Sequence, residues 1–189
     1  MQSNPTLLQA LDSVLVIVDI QEKLFEVMPD HDKEKILDNT TSLIESAHLL
    51  NIPIIVTEQY PQGLGKTVSK LTDALNDSAY RFEKTSFSCT GAQNFLATLE
   101  KIDRNQIILV GLETHVCILQ TALDLLSSKK YQIHVIEDAT CSRKIEHKFF
   151  AVQRMQTQGI IVSNYESVLF EWLRNATHPH FKAISQLLN

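Results

Sequence analysis

Three residues of this 189-residue chain combine a reactive type with a telling position: Asp19, Lys84 and Cys117. Cys117 lies in the run Gly111-Leu112-Glu113-Thr114-His115-Val116-Cys117, where an apolar stretch ends at Gly111 and a helix is expected to begin near Thr114. A thiol in a first helical turn sits near unpaired backbone N–H groups and the positive end of the helix dipole. Both favour a thiolate nucleophile, and the same N–H groups can bind an oxyanion. The competing reading is a small buried cysteine that only packs.

Asp19 closes Val14-Leu15-Val16-Ile17-Val18. A carboxylate at a buried strand end can lose solvent and become basic enough to move protons, or it can simply cap the next helix. Lys84 follows Arg81-Phe82-Glu83. Beside a thiol, its charge would lower the thiol pKa; alone, it would be an ordinary surface lysine. His115 is two residues from Cys117, a helical spacing that points the two side chains apart, so a direct Cys–His pair is not expected. Cys89 and Cys141 have no base implied nearby and read as structural. No HxH or HExxH spacing suggests a metal site, and no CxxC pair suggests zinc.

The elements that must position these residues alternate. Apolar, strand-like runs fall at residues 14–18, 52–57, 106–110, 133–136 and 159–162, with a weaker sixth at 81–83. Between them lie helix-length amphipathic stretches at 33–50, 67–75, 92–99, 114–127, 146–158 and 166–173, and a last helix is expected at 181–188. Residues 59–66 read as the longest irregular stretch. This alternation predicts an α/β fold: a Rossmann-like three-layer α/β/α sandwich on a mostly parallel sheet of five or six strands. In such sheets ligands bind beyond the carboxyl ends of the strands, where Asp19, Lys84 and Gly111 to Cys117 all fall. No composition shift or repeat divides residues 1–189, so a single domain is expected.

Bulk properties exclude several classes. Hydrophobic residues make up 44% and the formal net charge is -5, without a long basic run. Neither nucleic acid nor an anionic membrane is favoured as a partner. No run approaches a membrane span and no secretory leader precedes the first strand, so a soluble cytoplasmic protein is expected.

Six stretches in order resemble the isochorismatase-like family of cysteine hydrolases, which includes nicotinamidases, isochorismatases and carbamoylsarcosine amidases. They are Val14 to Gln21, Pro53 to Tyr60, Phe82 to Ser88, Gly111 to Cys117, Glu137 to Arg143 and Ser167 to Phe170. The resemblance implies a triad of Asp19, Lys84 and Cys117. It also implies a cis peptide between Leu112 and Glu113, and an oxyanion hole from the N–H groups of Glu113 and Cys117. Gln21, Leu24, Tyr60, Phe87 and Thr114 become candidate pocket residues. The histidines that bind metal in nicotinamidases after the second strand have no counterpart, since no His occurs between His48 and His115; no metal and no cofactor are expected.

The implied activity is hydrolysis of an amide-type C–N bond in a small molecule through a thioester. Vinyl-ether cleavage of the isochorismatase type and a non-catalytic scaffold are the alternatives. Family members commonly assemble, and apolar Trp172, Leu173, Phe181, Ile184, Leu187 and Leu188 in the tail suggest a homo-oligomer, the tail packing on the body or on a second subunit.

Overall fold

The computed structural model describes residues 7–188. The expectation of no leader rests partly on residues 1–6, which lie outside the described residues. Six strands form one sheet: β1 (Ser13–Val18), β2 (Ile54–Gln59), β3 (Tyr80–Lys84), β4 (Gln106–Leu112), β5 (Gln132–Cys141) and β6 (Ile161–Ser163). Their order is β3-β2-β1-β4-β5-β6, with every pairing parallel. Every residue of β1 and β4 is buried, which is why both read as unbroken apolar runs. The weak run at 81–83 is the edge strand β3, mostly exposed and so under no need of a continuous apolar pattern.

The helices are α1 (Glu22–Glu26), α2 (Asp30–Leu49), α3 (Pro61–Leu64), α4 (Ser69–Ala74), α5 (Phe95–Ile102), α6 (Leu119–Ser127), α7 (Ile145–Thr157), α8 (Tyr165–Leu173) and α9 (Phe181–Ser185). Apolar residues of α2, α4, α8 and α9 cover one face of the sheet, and those of α5, α6 and α7 the other. This is the expected three-layer α/β/α arrangement. The irregular stretch at 59–66 contains the single turn α3, opened by Pro61 at its first position. One turn is too short for a helical period to show in sequence.

The tail packs on the body. Trp172, Leu173 and Ile184 are buried in the core beneath α2, with Phe181 and Leu188 packed against them. The Trp172 indole donates to Ser13 Oγ at 2.9 Å. Those apolar side chains are therefore spent within the chain, and α9 stops at Ser185 rather than running to residue 188.

The sheet order reverses at β1 and β4, whose next strands lie on opposite sides. That switch point opens a crevice at the carboxyl ends of two adjacent strands. The two strands approach closely there. Gly111 pairs with Val18, has a φ of 140°, and a Cβ on it would meet the Val18 carbonyl oxygen at 2.1 Å. Only glycine fits that approach.

Candidate active site

The crevice is built from chain ends bent out of strand geometry. Asp19 follows β1 with a φ of 54°, Tyr60 follows β2 with 38°, and Glu113 follows β4 with 56°. Left-handed conformations cost non-glycine residues of order 1–3 kcal/mol and persist where surrounding bonds fix them. At Asp19 those bonds are visible: its N–H donates to Thr57 O at 3.1 Å, and its carbonyl accepts from Gln21 N at 2.9 Å.

The Asp19 carboxylate is buried and fully engaged. Oδ1 accepts from the Thr57 hydroxyl at 2.8 Å and Oδ2 from the Lys84 ammonium at 2.6 Å. The Cys117 thiol lies close enough to this carboxylate to feel its charge. Lys84 reaches it from the end of β3, two strands away, and both side chains have no exposed surface. The ammonium further donates to Gln59 Oε1 at 2.8 Å and Phe87 O at 3.1 Å, with Ser86 O at 3.4 Å. Its three protons are thus all committed to fixed acceptors.

Cys117 lies in a π-helical turn, Thr114–Ile118, that runs directly into α6. The helix expected at 114–127 is therefore one continuous path with a wider first turn, a form that often marks functional sites. The structure reverses the expected direction of the thiol pKa. Burial pushes it up, the Asp19 charge pushes it further, and the opposing Lys84 charge does not offset the two. Burial likewise raises the Asp19 carboxyl above the ordinary range, against the pull of Lys84 and the hydrogen bonds. This arrangement favours a neutral thiol beside Asp19 over a free thiolate.

The implied cis peptide is corrected: no cis peptide occurs among the described residues. The chain turns instead through Gly111 and the left-handed Glu113, which redirect it without a cis bond. The Glu113 side chain is buried and tied to Arg143. Oε1 accepts from the Arg143 N–H and Nε, both at 3.2 Å, and Oε2 from Nη2 at 3.3 Å. His115 turns away from Cys117 toward Ser142 Oγ, at 3.0 Å, and its ring packs at a tilt against that of His147.

The candidate pocket residues divide. The Gln21 amide is consumed by Gln59 N, Gln59 O and Gly65 O, making it a tie between loops. Leu24 packs against the core. Tyr60 and Phe87 are exposed, each 54%. Tyr60 and Lys84 border a cleft of about 320 Å³ with Thr85 and Ala92. Thr114 is fully buried, and its hydroxyl has no partner among the described residues. Cys117 itself is 5% exposed, so only a small group can reach it.

The sequence reading gave no site role to Thr57, Gln59 or Arg143, and read Cys89 as structural. Thr57 and Gln59 alternate along the end of β2, and that spacing beside Asp19 was the available signal. Cys89 carries no local sign of its place. Among the described residues, no group of three or more His, Cys, Asp or Glu side chains is arranged to hold a metal ion. No helix among them is long and apolar enough to cross a membrane.

Comparison with known proteins fits this geometry. The isochorismatase domain matches residues 13–167. Isochorismatase domain-containing protein 1 of Salmo salar is 41% identical over 77% of this chain, which spans only half of that protein's length. The secreted isochorismatase effector Isc1 of Phytophthora sojae is 36% identical over 93% of this chain and 84% of its own. A solved Caenorhabditis elegans structure, described as MAR1 ribonuclease, superposes with a TM-score of 0.90 at 36% identity, covering 97% of this chain and 92% of that one. With the domain matched over most of its length and relatives of this identity, the chain belongs to the isochorismatase-domain family of hydrolases.

Proposed function

We propose that this chain is a single-domain cysteine hydrolase that cleaves an amide-type C–N bond of a small molecule through a thioester on Cys117. The observation that carries the reading is the buried Asp19 carboxylate held between the Lys84 ammonium and the Cys117 thiol. A carboxylate with a raised pKa, beside a neutral thiol, is placed to accept its proton as the sulfur attacks a carbonyl.

The sequence of steps follows. Asp19 takes the Cys117 proton while the thiolate forms a bond to the carbonyl carbon. The oxyanion sits on the backbone N–H groups of Glu113 and Cys117. Protonated Asp19 then gives that proton to the leaving nitrogen, and the C–N bond breaks. Water, deprotonated by Asp19, hydrolyses the thioester and frees the acid and the thiol. Lys84 keeps its place throughout, fixed by its four acceptors.

A formal charge of -5 without a long basic run favours a small substrate over RNA, whatever the neighbour described as a ribonuclease does. A cytoplasmic homo-oligomer belongs to the same proposal. With the tail spent on the core, exposed Ile145, Phe149 and Phe150 on α7 offer apolar surface for a second copy. The test is ammonia release from a panel of small amides and ureido compounds by the parent protein and Cys117→Ala. Turnover in the parent and none in the variant supports the thioester. Equal turnover in both returns the site to ether-type chemistry, with Asp19 as an acid and the cysteine idle.

A further inference from the structure

Cys89, which the mechanism does not use, lies fully buried against the same machinery. Its sulfur is 3.6 Å from the Thr57 hydroxyl, and its backbone N–H donates to Thr121 Oγ1 on α6 at 2.9 Å. Thr57 in turn grips Asp19 twice, by its carbonyl on the Asp19 N–H and by its hydroxyl on Oδ1. A threonine hydroxyl has one proton. That proton goes to Asp19, so the contact with Cys89 is one in which the thiol donates and the Thr57 oxygen accepts. The thiol is fit for this part, because burial and the Asp19 charge push its pKa to about 11 and keep it protonated.

We infer that Thr57 is a positioning residue for Asp19, and that Cys89 orients Thr57 through a relay running Thr121–Cys89–Thr57–Asp19. The relay crosses from α6, which carries the segment after Cys117, through the turn at Cys89–Gly91 and β2 to the end of β1. It holds Oδ1 of the base while Lys84 holds Oδ2.

Charge and chemistry support an energetic role as well as a steric one. The groups facing Asp19 are Lys84 from β3, Thr57 from β2 and Cys117 from the π-helical turn, with Cys89 behind Thr57. Burial raises the Asp19 pKa, whereas the Thr57 hydroxyl stabilises its ionised form and lowers it. Without that bond the carboxylate would take up a proton at higher pH, and a protonated Asp19 cannot accept the one from Cys117. The relay thereby sets the pH above which the base is available. The inference rests on Asp19 being the base of the proposed reaction, but its test does not require a substrate.

The experiment is carbon-13 NMR titration of the Asp19 carboxyl in the full chain, assigned with Asp19→Asn, comparing the parent with Thr57→Val, Thr57→Ser and Cys89→Ala. Thr57→Val keeps the shape and removes the donor. Its Asp19 pKa should rise by about one unit, the order of a hydrogen bond to a charged group. Thr57→Ser should restore the parent value, and Cys89→Ala should move it in the same direction by less. A Thr57→Val titration that superposes on the parent overturns the inference, whether or not the amidase reading stands. A rise confined to Thr57→Val, with Cys89→Ala unchanged, removes Cys89 from the relay. Circular dichroism checks the fold of each variant. A Thr57→Val protein that fails to fold leaves Thr57→Ser and Cys89→Ala to decide: Cys89→Ala at the parent pKa overturns the relay.

Discussion

The Lys84 ammonium meets the Asp19 carboxylate at 2.6 Å with neither side chain exposed. Removing one partner of such a pair leaves an uncompensated buried charge, which costs about 3–5 kcal/mol. Lys84→Met should therefore lower the stability of the whole chain by that order, measured by urea unfolding at neutral pH. Combining it with Asp19→Asn should recover part of the loss, because no charge is then stranded. A Lys84→Met protein as stable as the parent would mean that the pair contributes nothing to folding.

Asp19→Asn should separate thiol ionisation from turnover. The Asp19 charge is one of the causes that raise the Cys117 pKa. Its removal should bring that pKa down and speed iodoacetamide labelling of Cys117 at a fixed pH. Turnover should nevertheless fall by about 10²–10⁴-fold, the usual worth of a general base. Adding Asp19→Asn to Cys117→Ala should cause no further loss, since groups acting as a unit are not additive. Peptide mapping of labelled Cys117, beside the ammonia assay, checks both. Slower labelling in Asp19→Asn would contradict the electrostatic account.

His134 lies buried in β5 with both ring nitrogens unpartnered among the described residues. Burial pushes its pKa down to about 4, below the ordinary value of 6.5. The unfolded chain therefore binds a proton that the folded chain refuses. The associated stability is complete above pH 6.5 and is lost as the pH falls from there toward 4. Between pH 7 and pH 4.5 the loss should be about 2–3 kcal/mol, at roughly 1.4 kcal/mol per pH unit. His134→Leu should unfold in urea with that portion of the acid sensitivity removed. An identical pH dependence in parent and variant would show that another group governs it.

Gly111→Ala should not be tolerated. The added carbon would sit 2.1 Å from the Val18 carbonyl oxygen, at a φ of 140° that L-residues avoid. The three nearest atoms all belong to the Val18 backbone, so no side-chain rotation relieves the clash, and β1 and β4 must separate at the site. The expected result is loss of soluble protein or a melting temperature lower by several degrees. Gly159→Ala is a contrasting control, because its added carbon meets nothing within 4 Å although its φ is also positive.

Much of the protein was legible in the sequence, for a local reason. β1 and β4 are covered on both faces, and continuous burial writes itself as the apolar runs at residues 14–18 and 106–110. That Asp19, Lys84 and the stretch to Cys117 gather beyond strand ends was readable from the order of elements alone, but their roles came only from the family resemblance. The turns at α1 and α3 were not legible, since four or five residues carry no period.

What only the tertiary structure decided is set by residues distant in the chain. The direction of the Cys117 pKa depends on whether burial and Asp19 outweigh Lys84, a balance of distances among three strand ends. Gln21 offers the same amide to a substrate or to a loop, and the nearness of Gln59 and Gly65 commits it to the loop. Glu113 turns by a left-handed backbone, its side chain tied to Arg143 thirty residues on, where the family pattern implied a cis bond. The tail could have served a second subunit until the groove beneath α2 claimed Trp172 and Ile184. Sequence records which side chains must leave water and where strands end. It does not record which neighbours meet there, because charge balance and hydrogen-bond pairing are properties of through-space distance.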